Sequence, residues 1–341
     1  MLIISDKNPS LDLSCFSLDD SHMITEITPT DSAHHRASQA FGRNLVALVS
    51  PMQSDGTLCR VSLQRLVTHL LDHGCDGLVV NGTTGESPTI TDDELGALIG
   101  EVATQAAGRA RVIAGVGTYD TAHTLRRAQL AESAGADGLL LVAPYYSKPT
   151  QKGMIAHLTA AAEATTLPVM LYDIPGRTGA ALDAETLRTL AHHPRILAVK
   201  DAKGNLNEAM TLMHSSPLAY YCGIDELNLP YLACGASGLV SVVGNVVPQL
   251  NRALLEAIDA SDLPAARRTH AETLPLTHAM MGLLPGTVTA KAALAHLGIL
   301  TSATVRAPLV EADPEELITL HAALGGVAPT QGGEITNAHP A

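Results

Sequence analysis

The 341-residue sequence predicts an α/β fold, a (β/α)8 TIM barrel with a C-terminal helical appendage. Eight short apolar runs, many rich in β-branched residues, recur at a spacing of roughly 28 residues, which is typical of one strand per β/α unit. Segments with helical periodicity fill most of the gaps between them. Apolar runs without alternation are typical of parallel strands covered by helices, and eight such units favour a closed barrel over an open sheet.

The runs divide the chain into three parts. Residues 1–40 show no pattern sustained long enough for a helix or strand, and we interpret them as an N-terminal tail that could be partly disordered. Residues 41–262 contain the barrel. Residues 263–341 contain no strand-like run and are interpreted as a helical region followed by a tail. In order, the eight runs are NLVALVS, DGLVV, RVIAGV, DGLLLVAP, PVMLYD, ILAVKD, LAYYCG and SGLVSVV.

Composition and charge exclude several classes of partner. The net charge is −13 and no run of Lys and Arg is present, which argues against nucleic acid and anionic membrane surfaces. The apolar runs fall far short of the roughly 20 residues that span a bilayer, and the N-terminus lacks a secretory pattern, so we expect a cytoplasmic location. Five widely spaced cysteines without a CxxC pair indicate neither a disulfide framework nor a zinc site, and we expect no metal.

Polar or glycine-containing segments follow five of the predicted strands. In a TIM barrel the chemistry lies at the C-terminal ends of the strands, so these segments should share one face. They are NGTTGES (81–87), PYYSKP (144–149), YDIPGRTG (172–179), KD (200–201) and GIDE (223–226).

Lys200 ends the apolar run of the sixth strand. An ammonium group at this position is costly unless it is paired or loses its proton. Two interpretations stay open on position alone: a structural ion pair with Asp201 or another carboxylate, or a desolvated neutral amine that attacks a carbonyl and forms a Schiff base.

Three neighbouring motifs are individually weak. Tyr172 ends the fifth strand and could shuttle protons, or it could be an ordinary tyrosine at the barrel rim. Residues 82–85, Gly-Thr-Thr-Gly, could be a simple tight turn, or their backbone N–H groups could bind a carboxylate. Arg177 could hold a carboxylate bidentately, or it could be a surface charge on a loop.

In combination, GTTGES, PYYSKP, YDIPGRTG, AVKDAKG and GLVSV resemble the dihydrodipicolinate synthase (4-hydroxy-tetrahydrodipicolinate synthase) family. This family belongs to the pyruvate-dependent class I aldolases, as does N-acetylneuraminate lyase. The resemblance runs from about Gly42 to about Ile299, and the motifs are most similar to the actinobacterial branch. It implies condensation of pyruvate with L-aspartate 4-semialdehyde in lysine and diaminopimelate biosynthesis, with no metal or redox cofactor.

The resemblance also implies roles for individual residues. Lys200 would form the Schiff base with pyruvate, and Tyr172 would be the proton shuttle. Thr83 would relay protons between Tyr172 and Tyr146, which would reach across an interface into the site of a neighbouring subunit. A homo-oligomer, a dimer of dimers, is therefore expected. The implied substrate-binding residues are Thr84, Arg177, Gly223, Val240, Asp225 and Glu226.

The sequence departs from the family pattern in two places. The family usually has Gly-Asp-Asp after the seventh strand, whereas Gly223-Ile224-Asp225-Glu226 is similar to the neuraminate lyases, whose acidic pair binds sugar hydroxyls. An aldolase acting on a sugar-derived keto acid therefore remains an alternative, although those lyases lack the arginine of GRTG. A keto-acid-binding barrel without turnover is a third hypothesis. Tyr119 and His123 replace the Asn and Glu that are usual where some family members bind lysine, so we predict weak or absent inhibition by lysine.

Overall fold

The computed structural model describes residues 29–326, in which eight parallel strands close into a barrel in chain order. Each of the eight apolar runs contributes one strand, which confirms the predicted TIM barrel. The strands are β1 (Asn44–Ala47), β2 (Gly77–Val80), β3 (Arg111–Gly115), β4 (Gly138–Val142), β5 (Val169–Asp173), β6 (Ile196–Asp201), β7 (Ala219–Cys222) and β8 (Gly238–Ser241).

Helices connect the strands and form the outer layer. The helices up to β8 are α1 (Pro29–Phe41), α2 (Arg60–Asp72), α3 (Asp92–Ala106), α4 (Thr121–Ser133), α5 (Gln151–Glu163), α6 (Pro175–Thr178), α7 (Ala184–Ala191), α8 (Leu206–Ser215) and α9 (Asn228–Ala233). Those after β8 are α10 (Pro248–Asp259), α11 (Leu263–Gly282), α12 (Gly286–His296) and α13 (Pro314–Gly325). Of the helices between residues 29 and 326, none is long and apolar enough to cross a bilayer.

Helix α1 lies where the sequence predicted a tail without helix. Its buried side chains include two small ones, Ala33 and Ala37 one turn apart, and one large one, Phe41 at the end. The Phe41 ring packs edge-on against Tyr221 of β7, with 6.4 Å between ring centroids, and closes the N-terminal end of the barrel. The prediction is wrong here because two alanines in a polar segment carry little hydrophobic signal. Residues 1–28 lie outside the described part of the chain.

The barrel interior is a separate apolar cluster inside the ring of strands. Its larger members on the strands are Leu45, Val79, Ile113, Leu140, Met170, Tyr172, Tyr221 and Val240, and β6 contributes the smaller Ala198. A second cluster fills the space between the strands and the outer helices. Because side chains alternate between these two clusters along each strand, neighbouring residues at a strand end face different environments.

Helix α11, the first helix of the predicted C-terminal helical region, begins at Leu263. The tail predicted beyond this region falls on residues after 326, which lie outside the described part of the chain. The central helix of the region, α12, is buried from Gly286 to Leu294 between the barrel mouth and helices α11 and α13. It thus reaches the face of the barrel on which the polar segments lie.

Candidate active site

Lys200 and Tyr172 lie opposite each other on the neighbouring strands β6 and β5. The Lys200 Nζ atom is 4.2 Å from the centroid of the Tyr172 ring, and each residue is only 5 % exposed. The sequence prediction that these two side chains share one point in the barrel mouth is therefore satisfied by the geometry.

Asp201 does not pair with Lys200. Its carboxylate faces the outer side of β6, where Oδ1 accepts a hydrogen bond of 2.8 Å from the backbone N–H of Lys203. Within residues 29–326, no carboxylate forms an ion pair or hydrogen bond with Lys200 Nζ. Of the two interpretations of Lys200, the structural ion pair is thus not the one that the geometry supports.

Gly223, which follows β7, provides space for the lysine stem. A Cβ atom at this position would lie 3.0 Å from both Cγ and Cε of Lys200 and 3.0 Å from the backbone oxygen of Asp201. These distances are tighter than ordinary van der Waals contact, so a side chain here would displace the lysine. The contribution of Gly223 is therefore steric: without a side chain, it leaves space for the side chain of Lys200.

The Gly-Thr-Thr-Gly segment forms a short 3₁₀ turn, Thr83–Gly85, after β2. Asn81 and Glu86 flank this turn with positive φ angles of 59° and 60°, a conformation that is strained for residues with side chains. The Asn81 side chain donates a 2.7 Å hydrogen bond to the backbone oxygen of Gly115 and fixes the start of the turn. Thr84 is buried, whereas the side chain of Thr83 faces open space at the barrel mouth.

A small cavity joins Thr83 and Tyr172. It has a volume of about 20 Å³, is lined also by Asn81 and Ser87, and can hold about one water molecule. A water molecule in this cavity would lie between Thr83 and Tyr172.

Arg177 lies on α6, directly after β5, and is exposed. It lines a cavity of about 210 Å³ together with Thr83, Glu86, Thr287 and Arg306. The Arg306 guanidinium is paired with Glu94, whereas Arg177 forms no ion pair among the described residues. The guanidinium of Arg177 therefore suits an acidic small molecule. A cavity of about 550 Å³ between α2 and α3 contains none of the predicted site residues.

Tyr146 stands apart from the other predicted site residues. It has a φ angle of 70° and is 89 % exposed. The ring of the preceding Tyr145 instead packs within its own chain, edge-on against Tyr119, with 5.3 Å between ring centroids. The backbone thus presents the Tyr146 ring to the outside, away from Lys200 of its own chain.

Asp225, one of the predicted substrate-binding residues, forms four hydrogen bonds within the fold. Its Oδ1 accepts from the Asn228 side chain and from Ser241 Oγ, and its Oδ2 accepts from the backbone N–H groups of Val242 at 2.9 Å and Val243 at 3.2 Å. With both oxygens occupied and the residue buried, Asp225 secures the end of β8. The neighbouring Glu226 remains partly exposed, and its carboxylate forms no hydrogen bond or salt bridge with the described residues, although its charge acts on the nearby His270.

Val240 lies on β8 and faces the barrel interior in the same cluster as Tyr172. It is 2 % exposed and can offer only an apolar wall to a bound molecule. The described residues contain no group of three or more His, Cys, Asp and Glu side chains that could hold a metal ion.

A second charged cluster lies behind the site, on the outer side of β5 and β6. Asp173 is fully buried, and its Oδ2 lies 3.4 Å from Lys203 Nζ, which in turn is 2.8 Å from Glu208 Oε1. Burial raises the pKa of Asp173 to about 6, although the charge of Lys203 opposes the shift. Sequence reasoning assigned no consequence to Asp173, and the spacing from 173 to 203 gave no signal that the two would pair.

The comparisons with known proteins agree along most of the chain. Residues 40–326 match the model of the dihydrodipicolinate synthetase family. The 4-hydroxy-tetrahydrodipicolinate synthase 1 of Streptomyces coelicolor is 51 % identical over 296 residues, covering 86 % of this chain and 97 % of the relative.

Solved structures of the same kind have the same fold. The dihydrodipicolinate synthase of Cyanidioschyzon merolae with lysine bound has a TM-score of 0.81 and 36 % identity, covering 84 % of this chain and 98 % of that one. The chloride-inhibited enzyme of Acinetobacter baumannii complexed with pyruvate has a TM-score of 0.81 and 33 % identity, covering 83 % and 98 %.

Proposed function

Because this chain belongs to the dihydrodipicolinate synthetase family, a family of class I aldolases, we propose that it condenses pyruvate with L-aspartate 4-semialdehyde as a 4-hydroxy-tetrahydrodipicolinate synthase. The observation that carries the proposal is Lys200, a buried amine without a carboxylate partner in the described chain, held against Tyr172 at the C-terminal ends of two strands. This is the arrangement that Schiff-base chemistry needs.

The reaction begins at Lys200. Its neutral amine attacks the ketone carbon of pyruvate, and loss of water gives an iminium ion on Nζ. The iminium withdraws electrons, so the methyl group loses a proton and becomes an enamine carbon. Tyr172, whose ring borders the amine, passes protons to and from the carbinolamine.

The enamine carbon then attacks the aldehyde carbon of the second substrate and forms the new carbon–carbon bond. The iminium on Lys200 is restored, and the amino group of the second substrate attacks it, which closes the ring and expels the lysine. The iminium is the electron sink throughout, so we expect no metal or redox cofactor. Dialysis against a chelator should leave the rate unchanged.

Two cationic or N–H-rich sites hold the carboxylates. The backbone of Thr83 and Thr84 binds the carboxylate of pyruvate, as a turn of successive N–H groups can. Arg177, on the open side of that turn, binds the carboxylate of the aldehyde, and Gly223 and Val240 shape the space around Lys200. With both carboxylates bound in this way, the two reacting carbons would lie near Nζ.

The proton relay is completed by a neighbouring subunit. Tyr146 projects away from its own chain, and in the proposed homo-oligomer, a dimer of dimers, it enters the adjacent site and exchanges protons with Thr83. Mixing inactive Tyr146→Phe and Lys200→Met proteins under conditions of subunit exchange should restore activity, because one site then has both native residues. Failure of the mixture to regain activity after proven exchange would contradict the shared site.

A second candidate function rests on Glu226. This partly exposed carboxylate near the barrel mouth could bind hydroxyl groups of a sugar-derived keto acid, whereas Asp225 has no free oxygen for that purpose. An aldolase of that kind would use the same Schiff base. Since half of the acidic pair is committed to the fold and Arg177 is present, the synthase is the better-supported function.

Borohydride trapping tests the proposal directly. Reduction in the presence of pyruvate should add the pyruvate carbon skeleton to one lysine, which peptide mass spectrometry should locate at Lys200. Lys200→Met should abolish the adduct, and the matched control Lys152→Met, at an exposed lysine of α5, should keep it. An adduct elsewhere, or none, would refute the mechanism.

A panel of aldehydes and keto acids then separates the two candidates. Turnover of L-aspartate 4-semialdehyde supports the synthase, and cleavage of sugar-derived keto acids without it supports the alternative. Trapping without turnover of any of them would leave a keto-acid-binding barrel. The expected location remains cytoplasmic, and small molecules are the only partners proposed besides further copies of the chain.

A further inference from the structure

Lys291, in the middle of α12, is fully buried, which is rare for a lysine. Its Nζ donates to the side-chain Oε1 of Glu86, and it also donates a 2.8 Å hydrogen bond to the backbone oxygen of Thr304. The Glu86 side chain is buried to the same degree. Neither residue touches Lys200 or Tyr172, and the proposed reaction leaves both without a role.

Glu86 is the residue on which the threonine turn ends. Its backbone N–H bonds to the backbone oxygen of Thr83, and its φ angle of 60° turns the side chain away from the barrel and toward the C-terminal region. There Oε1 meets Lys291, and Oε2 accepts a 2.8 Å hydrogen bond from the backbone N–H of Arg306. Both oxygens therefore attach the turn to residues that are more than 200 positions away in the chain.

The C-terminal region also contacts the threonine turn on the side that faces the cavity. Thr287, at the start of α12, lies with its Oγ1 3.5 Å from the backbone oxygen of Thr83 and lines the cavity that Arg177 borders. The turn is thus held between the barrel and α12 from two sides. A shift of α12 would move the backbone N–H groups of Thr83 and Thr84 directly.

We propose that Glu86 and Lys291 are positioning residues, which fix the Thr83–Thr84 turn at the distance from Lys200 that pyruvate needs. The inference rests on the proposed function, because it assigns a purpose to the pair through the pyruvate carboxylate site. It adds the C-terminal helical region to the parts of the chain that determine pyruvate affinity.

Energetics favour positioning over stabilisation as the purpose of the pair. Removing two charges from water costs free energy that their attraction only partly returns, and apolar residues of similar volume often stabilise a fold equally well. Burial lowers the pKa of Lys291, and the Glu86 carboxylate counteracts this shift. What a buried ion pair provides that apolar residues do not is a fixed geometry, here between one turn and one helix.

The test is the double variant Glu86→Gln with Lys291→Met, which removes both charges together and so avoids a single unpaired buried charge. The KM for pyruvate should rise about tenfold, the scale of one lost charge-assisted hydrogen bond. The melting temperature should fall by no more than a few degrees. Borohydride should still trap pyruvate on Lys200 at saturating pyruvate, since the lysine itself is unchanged.

Two control variants separate positioning from general loosening. Arg43→Met with Asp259→Asn removes the ion pair between the start of β1 and the end of α10, at the opposite end of the barrel, and should leave the KM unchanged. Leu320→Ala weakens the packing of α13 without contacting the turn. It should lower the melting temperature while the KM stays within about twofold of wild type.

Four outcomes decide between the possibilities. A wild-type KM in the double variant, or an equal rise in Leu320→Ala, would overturn the inference. If the double variant does not fold, Glu86→Asp replaces it, because the shorter side chain keeps its charge but cannot reach both partners; a wild-type KM in that variant would refute positioning equally. Absence of a pyruvate adduct in the wild-type protein would instead refute the proposed function.

Discussion

Replacing Asp173 by asparagine should stabilise the protein above neutral pH and change little in acid. The fully buried carboxyl of Asp173 has its pKa raised from 3.8 to about 6, chiefly by burial. A group whose pKa is higher in the folded state binds its proton more tightly there, so its contribution to stability is complete below about pH 3.8 and is lost as the pH rises through 6. A difference of about two pKa units corresponds to roughly 3 kcal/mol of unfolding free energy.

The amide introduced by Asp173→Asn would keep the shape of the protonated acid and carry no charge at any pH. Lys203 would lose one partner but keep Glu208 at 2.8 Å, so its ammonium would remain paired. Relative to wild type, the variant should therefore gain up to about 3 kcal/mol at pH 8 and nearly nothing at pH 4, seen as a few degrees in melting temperature.

Urea unfolding followed by circular dichroism at pH 4, 6 and 8 measures this difference. Glu256→Gln, which removes an exposed carboxylate of α10, is the matched control for the loss of one charge and should not gain stability at pH 8. A variant that is less stable than wild type at pH 8, or whose difference is the same at all three values, would refute the reasoning.

Three further predictions concern other parts of the chain. Gly223→Ala should lower kcat by about tenfold to a hundredfold, with a small change in melting temperature, because the new methyl group would displace Lys200. Phe41→Ala should cost about 3–5 kcal/mol of unfolding free energy by opening a cavity at the closed end of the barrel, while the KM for pyruvate stays unchanged. Lysine should inhibit weakly or not at all, because Tyr119 and His123 stand where Asn and Glu are usual in family members that bind lysine; an inhibition curve with half-inhibition at micromolar lysine would contradict this.

The sequence was sufficient to predict the strands and the approach of Lys200 to Tyr172. Apolar runs of a strand's length indicate buried parallel strands. Because the C-terminal ends of all strands in a TIM barrel lie on the same face, the approach of Lys200 to Tyr172 could be predicted from sequence. Helix α1 could not, because its buried face is built on Ala33 and Ala37, and such small residues give a weak pattern.

The hydrogen bonds of Asp225 could not be predicted from sequence, for a different reason. An acidic residue after a barrel strand is equally compatible with binding a hydroxyl group and with capping the next strand. The choice depends on whether β8 brings the backbone N–H groups of Val242 and Val243 within reach, which is a matter of three-dimensional distance across 17 or 18 residues. The contact between Glu86 and Lys291 was even less predictable from sequence. The two residues are 205 positions apart, and no sequence motif around either one indicates that they pair.

Lys200 and Asp201 are adjacent in sequence, but their charged groups lie on opposite sides of β6. Because side chains alternate along a strand, one step from Lys200 to Asp201 leads from the reacting interior to the packed outer layer. The same step on β5 leads from Tyr172 to Asp173, its partner in register. Inside, Lys200 and Tyr172 are left without carboxylate partners among the described residues and remain available for chemistry. Outside, Asp173 and Asp201 lie beside Lys203, so these carboxylates are kept one residue away from the amine that must react.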